Sequence, residues 1–93
     1  MVFREPKWTL ALTLSAQKDI TKLDNQIVKE VLEKLSWLES NFNAILPRRL
    51  SADLSGFYKL RIGDYRAVYD FNVRNLVIKV YRVEHRSKVY KKK

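Results

Sequence analysis

The sequence predicts an α+β fold of order β-α-α-β-β-β, in which an N-terminal helical hairpin packs on a mostly antiparallel four-stranded sheet. Three observations predict this fold: an alternating segment near the start, two segments of helical periodicity after it, and three strand-like segments in the second half. With 93 residues, of which 46% are hydrophobic, the chain is expected to form a single globular domain over residues 1–93.

The first strand is predicted from a strict alternation of apolar residues with threonine and alanine. The residues that would share one face of this strand are Trp8, Leu10, Leu12 and Leu14. Ser15 is a candidate N-cap for a short helix, because a serine side chain can accept a hydrogen bond from an N–H group of the first turn. Asp24 or Asn25 marks the break before a second helix.

The second helix is expected to run from about Asn25 to about Asn41. The residues that a 3.6-residue period places in one apolar stripe are Ile27, Val28, Val31, Leu32, Leu35 and Leu38. Trp37 lies off this stripe and is expected to pack at its edge or against the first helix. Both helices need an apolar sheet face on which to bury their stripes.

A β-hairpin is predicted around Gly63-Asp64, because this pair suits a two-residue type II′ turn with glycine at the position of positive φ. Alternation before the turn places Tyr58, Leu60 and Ile62 on one face, and Phe57, Lys59 and Arg61 on the other. The returning strand, residues 65–71, brings Arg66 close to these cations. Cations are also common on the wet face of a half-buried hairpin, so alternation alone does not establish a function.

The last strand is expected at residues 76–84, after a turn at residues 72–75. Its nearly continuous apolar run predicts a central strand that is buried on both faces. No apolar run is long enough to span a membrane and no signal-peptide pattern opens the chain, so a cytoplasmic protein is expected.

The net charge of +9 comes entirely from the second half of the chain. Residues 1–46 hold six basic and six acidic residues, whereas residues 47–93 hold thirteen basic and four acidic ones. This asymmetry predicts a half that faces a polyanion, such as nucleic acid, an acidic protein or an anionic membrane. The basic half contains no amphipathic basic helix, which argues against a membrane partner.

The candidate catalytic groups are arginines and lysines on strands, one histidine and several tyrosines. The sequence has no cysteine, no Gly-rich phosphate loop and no paired histidine or carboxylate cluster, so neither a metal nor another cofactor is expected. Such a set suits cleavage of an RNA phosphodiester by its own 2′-OH, which needs a base, cations for the developing charge and an acid. Like charges around a lysine disfavour its protonated form, so Lys59 could be the base. His85 could take either proton role, since imidazole titrates near neutral pH.

Two motifs closely resemble the RelE/ParE toxin superfamily: residues 54–69, LSGFYKLRIGDYRAVY, and residues 83–90, VEHRSKVY. Residues 15–23 are also similar to it, so the resemblance covers about residues 8–91. It implies the toxin of a type II toxin–antitoxin pair, with an acidic RelB-like antitoxin as partner. RelE-type members enter the ribosomal A site and cut mRNA there without a metal.

The resemblance also implies which residues form the site. The candidate catalytic residues are Lys59, Arg61, Arg66, His85, Arg86 and Tyr90. Arg61 stands where the family can have lysine, Arg66 matches the phosphate-binding arginine, and His85 occupies a position that only some members fill with histidine. The candidate RNA-binding residues are Arg48, Arg49, Arg82, Lys88, Lys91 and Lys92.

Two other functions remain open at this point. ParE-type toxins share the fold but poison DNA gyrase, and a toxin-like scaffold could bind RNA or protein without cutting. Single residues also have plainer roles: Arg66 could pair with Asp70, and His85 could be a surface residue. The tyrosines that are expected to pack in the sheet rather than to stack on bases are Tyr58, Tyr65, Tyr69 and Tyr81.

Overall fold

A computed structural model describes residues 7–45 and 56–89 of the chain. The elements in chain order are β1 (Thr9–Leu12), α1 (Leu14–Thr21), α2 (Asn25–Ile45), β2 (Tyr58–Ile62), β3 (Tyr65–Asn72), β4 (Val77–His85) and α3 (Arg86–Val89). The predicted β-α-α-β-β-β order is therefore confirmed, and the short helix α3 is an addition that the sequence reading did not anticipate. No helix in the described ranges has the length and apolar character needed to cross a membrane.

The four strands form one sheet in the order β1-β4-β3-β2. β1 pairs with β4 in parallel, while the pairings of β2 with β3 and of β3 with β4 are antiparallel. A β-bulge interrupts the pairing of β3 and β4 between Val68 and Tyr69. The sheet is mostly antiparallel, as predicted, and β4 is one of its two central strands.

The start of α1 differs from the prediction by two residues. Thr13, not Ser15, is the N-cap: its backbone is extended, with φ −70° and ψ 168°, and its Oγ1 accepts a hydrogen bond of 3.1 Å from the Ala16 N–H. Leu14 was expected in the first strand, but it is the first residue of α1 and its side chain is 74% exposed. The strand ends early because the chain must turn at Thr13 to bring α1 onto β4, to which the Thr13 N–H donates.

α2 covers one face of the sheet and supplies its core. Its buried residues are Val31, Leu35, Leu38 and Phe42. Leu32 was predicted to lie in the buried stripe but is 47% exposed, because it sits about 100° around the helix from Val31. Phe42, beyond the predicted end of the helix, is fully buried and packs edge-on against Trp8, with ring centroids 4.7 Å apart.

The expectation that the last strand is buried on both faces is wrong. Along β4, Ile78, Val80 and Val83 are buried, whereas Lys79 and Arg82 are exposed. The buried residues of α1 and α2 form one core cluster with the buried residues of β4. The apolar residues of β4 therefore line the side of this core, and Lys79 and Arg82 lie on the other side. β4 is therefore central in the sheet but one-sided in its burial.

Both predicted turns are present. Gly63 has φ +60°, as the first central residue of a type II′ turn requires, and its carbonyl oxygen accepts a hydrogen bond of 3.3 Å from Arg61 Nε. In the second turn, Asn72 Oδ1 accepts from the N–H groups of Arg74 and Asn75. The hairpin turn holds β2 and β3 in a register that brings their charged residues together.

Candidate nucleic-acid interface

The cations of the hairpin lie on the sheet face that is opposite to α2, called here the open face. Tyr58 and Ile62 pack on the helix side, in the core or against it, so alternation places Lys59 and Arg61 on the open face. In the pairing of β2 with β3, Arg61 stands directly opposite Arg66, and Lys59 stands opposite Val68. Directly opposed residues have Cβ atoms roughly 5 Å apart. The predicted clustering of the three hairpin cations on one face is confirmed.

A carboxylate continues the row of opposed arginines onto the third strand. Glu84 of β4 stands opposite Arg66, which makes Arg61, Arg66 and Glu84 one row across three strands. Glu84 also lies within 3.2 Å of the Arg82 guanidinium. Sequence reasoning missed Glu84, although the alternation of buried Val83 with its neighbours could have placed it on the open face.

Arg82, a predicted RNA-binding residue, is engaged with an acidic residue of α1. Its Nε and Nη2 donate to the two carboxylate oxygens of Asp19, at 2.8 and 3.2 Å. Burial alone would raise the pKa of Asp19, but hydrogen bonds from Arg82 and from the Val83 N–H outweigh it and lower this pKa. The hydrogen bond to Asp19 correspondingly raises the pKa of Arg82. Arg82 thus ties α1 to β4 and is partly neutralised where it could meet a phosphate.

His85 does not join the arginine row. It stands opposite Tyr65, on the helix side of the sheet, and the two rings meet edge-on with centroids 5.2 Å apart. The Ser87 N–H donates to His85 Nδ1 at 3.2 Å, and Ser87 Oγ lies 2.9 Å from the same nitrogen. In the neutral ring this assigns the proton to Nε2, because Nδ1 acts as an acceptor.

The remaining predicted site residues follow β4. The Arg86 N–H donates to the Asp64 carbonyl at 2.8 Å, so exposed Arg86 begins α3 beside the hairpin turn. Lys88 belongs to α3. The predicted residues that lie outside the described ranges are Arg48, Arg49, Tyr90, Lys91 and Lys92. Within the described ranges, no three histidine, aspartate or glutamate side chains come together as a metal site would require.

Asp70 was the alternative partner considered for Arg66, but its carboxylate is engaged by a different residue. Both Asp70 oxygens instead accept from the Tyr81 hydroxyl, at 3.3 and 3.2 Å. Two guanidinium groups that stand opposite each other on stiff strands can bind oxygens of one phosphate from two sides. The open face near the hairpin turn is therefore suited to an anion with several oxygens.

Comparison with known proteins identifies the family. Residues 10–90 match the family model described as the ParE toxin of the type II toxin–antitoxin system parDE. The chain belongs to this family. The match covers nearly the whole chain, and it confirms the resemblance to the RelE/ParE superfamily and the identity of the chain as a type II toxin.

Individual relatives agree with this family assignment. Toxin RelG of Mycobacterium tuberculosis is 27% identical over 85 residues, which are 91% of this chain and 98% of the relative. The toxin–antitoxin complex RelBE2 of M. tuberculosis contains a similar fold, with a TM-score of 0.71 and 26% identity over 86% of this chain and 99% of that one. The isolated E. coli RelE toxin gives a TM-score of 0.65 and 27% identity over 89% of this chain and 90% of that one. These neighbours confirm the predicted α+β fold.

Proposed function

We propose that this toxin is a ribosome-dependent endoribonuclease that cuts mRNA in the ribosomal A site by attack of the ribose 2′-OH. The observation that carries the proposal is the direct opposition of Arg61 and Arg66 on the open face, with Lys59 one row away. Such a cluster stabilises the dianionic, phosphorane-like transition state more than the monoanionic ground state. The similarity to RelE-type toxins supports the same reading.

The proposed reaction is a transesterification followed by strand release. As the proposed general base, Lys59 takes the proton of the 2′-OH, and the 2′-oxygen forms a bond to phosphorus while the bond from phosphorus to the 5′-oxygen breaks. Arg61 and Arg66 bind the non-bridging oxygens as charge develops on them. Tyr90 is the proposed donor of the proton that the departing 5′-oxygen takes up. The products are a 2′,3′-cyclic phosphate and a 5′-hydroxyl end.

The proposed protein partner is an acidic antitoxin of the RelB type. The E. coli RelE and M. tuberculosis relatives are described in RelBE toxin–antitoxin complexes, and this chain carries a net charge of +9 that is concentrated in its second half. An acidic segment that lies over Lys59, Arg61 and Arg66 would neutralise the charge that the reaction needs. Binding of this kind would inhibit cleavage and weaken with added salt.

The test is induced expression of the toxin with mapping of mRNA 5′ ends, for the wild type and for two arginine variants. We expect wild-type cuts in phase with codons, and a loss of roughly 10²–10³ in cleavage rate for Arg66→Ala, which removes one charge-stabilising donor. Arg74→Ala is the matched control, since it removes an exposed arginine from the turn at the far end of β3. Equal cleavage by Arg66→Ala and wild type, at equal soluble expression, would refute the site.

A second candidate function is inhibition of DNA gyrase, and the match to the ParE family model favours it. This function requires no nuclease chemistry. Expression would then produce covalent gyrase–DNA adducts while transcripts stay intact. The same cultures therefore separate the two functions, because the adducts and the RNA 5′ ends are measured independently.

A further inference from the structure

The open face carries an aromatic pair at the end opposite to the arginine row. The rings of Phe57 and Tyr81 meet edge-on, with centroids 5.1 Å apart and planes at 74°. Phe57 precedes β2 and Tyr81 belongs to β4, so the two rings meet across β3, the strand between them. Neither residue belongs to the buried core cluster, and both are half-buried. The pair is therefore a surface feature of the open face.

The two rings are held in place from several sides. The Tyr81 hydroxyl donates to Asp70, whose two oxygens lie 3.3 and 3.2 Å away. Tyr58, the neighbour of Phe57, is anchored on the helix side by stacking on Tyr69, with ring centroids 5.7 Å apart. This anchoring directs Phe57 to the open face. Rings that are ordered before a ligand arrives lose little side-chain entropy on binding.

Cations border the aromatic pair. Lys79 Nζ lies 5.8 Å from the centroid of the Tyr81 ring. Lys59 follows Phe57 by two residues on the same face, a separation of roughly 7 Å along the strand. Arg66 and Asp70 are four residues apart on β3, so about 13 Å of strand separates the arginine row from the residue that accepts the hydrogen bond of the Tyr81 hydroxyl. A single strand of a few nucleotides can span this distance along the open face.

We propose that Phe57 and Tyr81 form a stacking platform for an unpaired base of the RNA whose phosphate lies on Arg61 and Arg66. Partly exposed aromatic rings on a sheet face, next to cations that bind the phosphates, are a physical basis of single-stranded RNA binding. The choice of RNA as the ligand rests on the proposed function. The platform would give the open face a contact to a base in addition to its contacts to phosphates. From the sequence, Tyr81 was expected only to pack in the sheet. Its ring contact with Phe57 joins residues 24 positions apart, and a local sequence pattern does not indicate such a contact.

The test measures binding of a short oligouridylate and of an abasic ribose-phosphate oligomer of the same length, by fluorescence anisotropy at one low salt concentration. The purified wild-type toxin should bind the oligomer with bases about 5- to 150-fold more tightly, the range that stacking of a base on an aromatic side chain provides. Tyr81→Leu should abolish most of this preference. Tyr81→Phe, which keeps the ring and loses only the hydroxyl, should retain most of it.

Two results would overturn the platform. One is equal affinity of the wild type for the two oligomers, a result that depends on no variant being folded. The other is an unchanged base preference in Tyr81→Leu with a native circular dichroism spectrum. Failure of the proposed function would be seen in a different experiment. If the toxin makes no mRNA cuts in cells, the purified protein could still prefer the oligomer with bases.

Discussion

The ion pair between α1 and β4 yields a prediction whose magnitude follows from its geometry. Asp19→Ala removes the hydrogen bonds from Arg82 Nε and Nη2 and a bond of 2.9 Å from the Val83 N–H. The Asp19 side chain is only 14% exposed, whereas that of Arg82 is 49% exposed. The carboxylate is therefore mostly buried, and it holds β4 to the first helix beyond the point where the pairing of β4 with β1 ends.

The expected loss is about 2 kcal/mol in the free energy of unfolding. Because Arg82 is about half exposed and water screens its charge, its ion pair with Asp19 should contribute only about 0.5–1 kcal/mol to the free energy of unfolding. The Val83 N–H, which loses its acceptor, adds about 1–2 kcal/mol. For a domain of this size the melting temperature should fall by about 8–16 °C.

The stabilisation that Asp19 provides should decline at acidic pH. The pKa of Asp19 lies below its ordinary value of 3.8 in the folded chain, because the hydrogen bonds to its charged form outweigh its burial. Its stabilisation is therefore complete above the unfolded pKa and declines as pH falls through the folded one. The difference in melting temperature between wild type and Asp19→Ala should shrink in the same range.

Thermal unfolding followed by circular dichroism at pH 7 and at several acidic pH values is the assay. Ser15→Ala is the matched control, because Ser15 lies exposed on the same helix and should change stability by less than about 0.5 kcal/mol. Arg82→Ala should cost less than Asp19→Ala, because it leaves the bond to Val83 in place. An Asp19→Ala variant as stable as the control would refute the reasoning.

Three further predictions concern charge, core and titration. Glu84→Gln should tighten binding of a single-stranded RNA oligonucleotide several-fold at low salt, because it removes a negative charge from the arginine row. The affinity is measured at several salt concentrations, and weaker binding by the variant than by the wild type would contradict this prediction. Phe42→Ala should cost about 3–5 kcal/mol, measured by urea unfolding, since the fully buried ring packs on Trp8 and Phe71. Burial raises the pKa of Tyr69 to about 12, with a smaller effect from Tyr58, so its contribution to stability should be complete below pH 10 and lost as pH rises towards 12. A flat stability profile across that alkaline range would count against this burial effect.

The hairpin shows how far local pattern can predict a site. Alternation determined which residues of β2 share a face, and the two-residue turn at Gly63 determined that Arg61 stands opposite Arg66. Both features depend only on residues that are close in sequence, because a two-residue turn allows only one pairing register between the strands that it joins. The same reasoning failed for Thr13, because the start of α1 depends on a hydrogen bond from Thr13 to Val80 of β4, far along the chain.

The sequence alone determined the order of the four strands and the first two helices, the two faces of the hairpin, the opposition of its arginines and the basic character of the second half. Only the tertiary structure decided that Arg82 binds Asp19, that His85 lies on the helix side and that Phe57 meets Tyr81. Each of these depends on strand order and on the bulge beside Tyr69, which shifts the register along β4. Contacts between residues far apart in sequence arise from the packing of the whole sheet, and no periodicity within one segment encodes them.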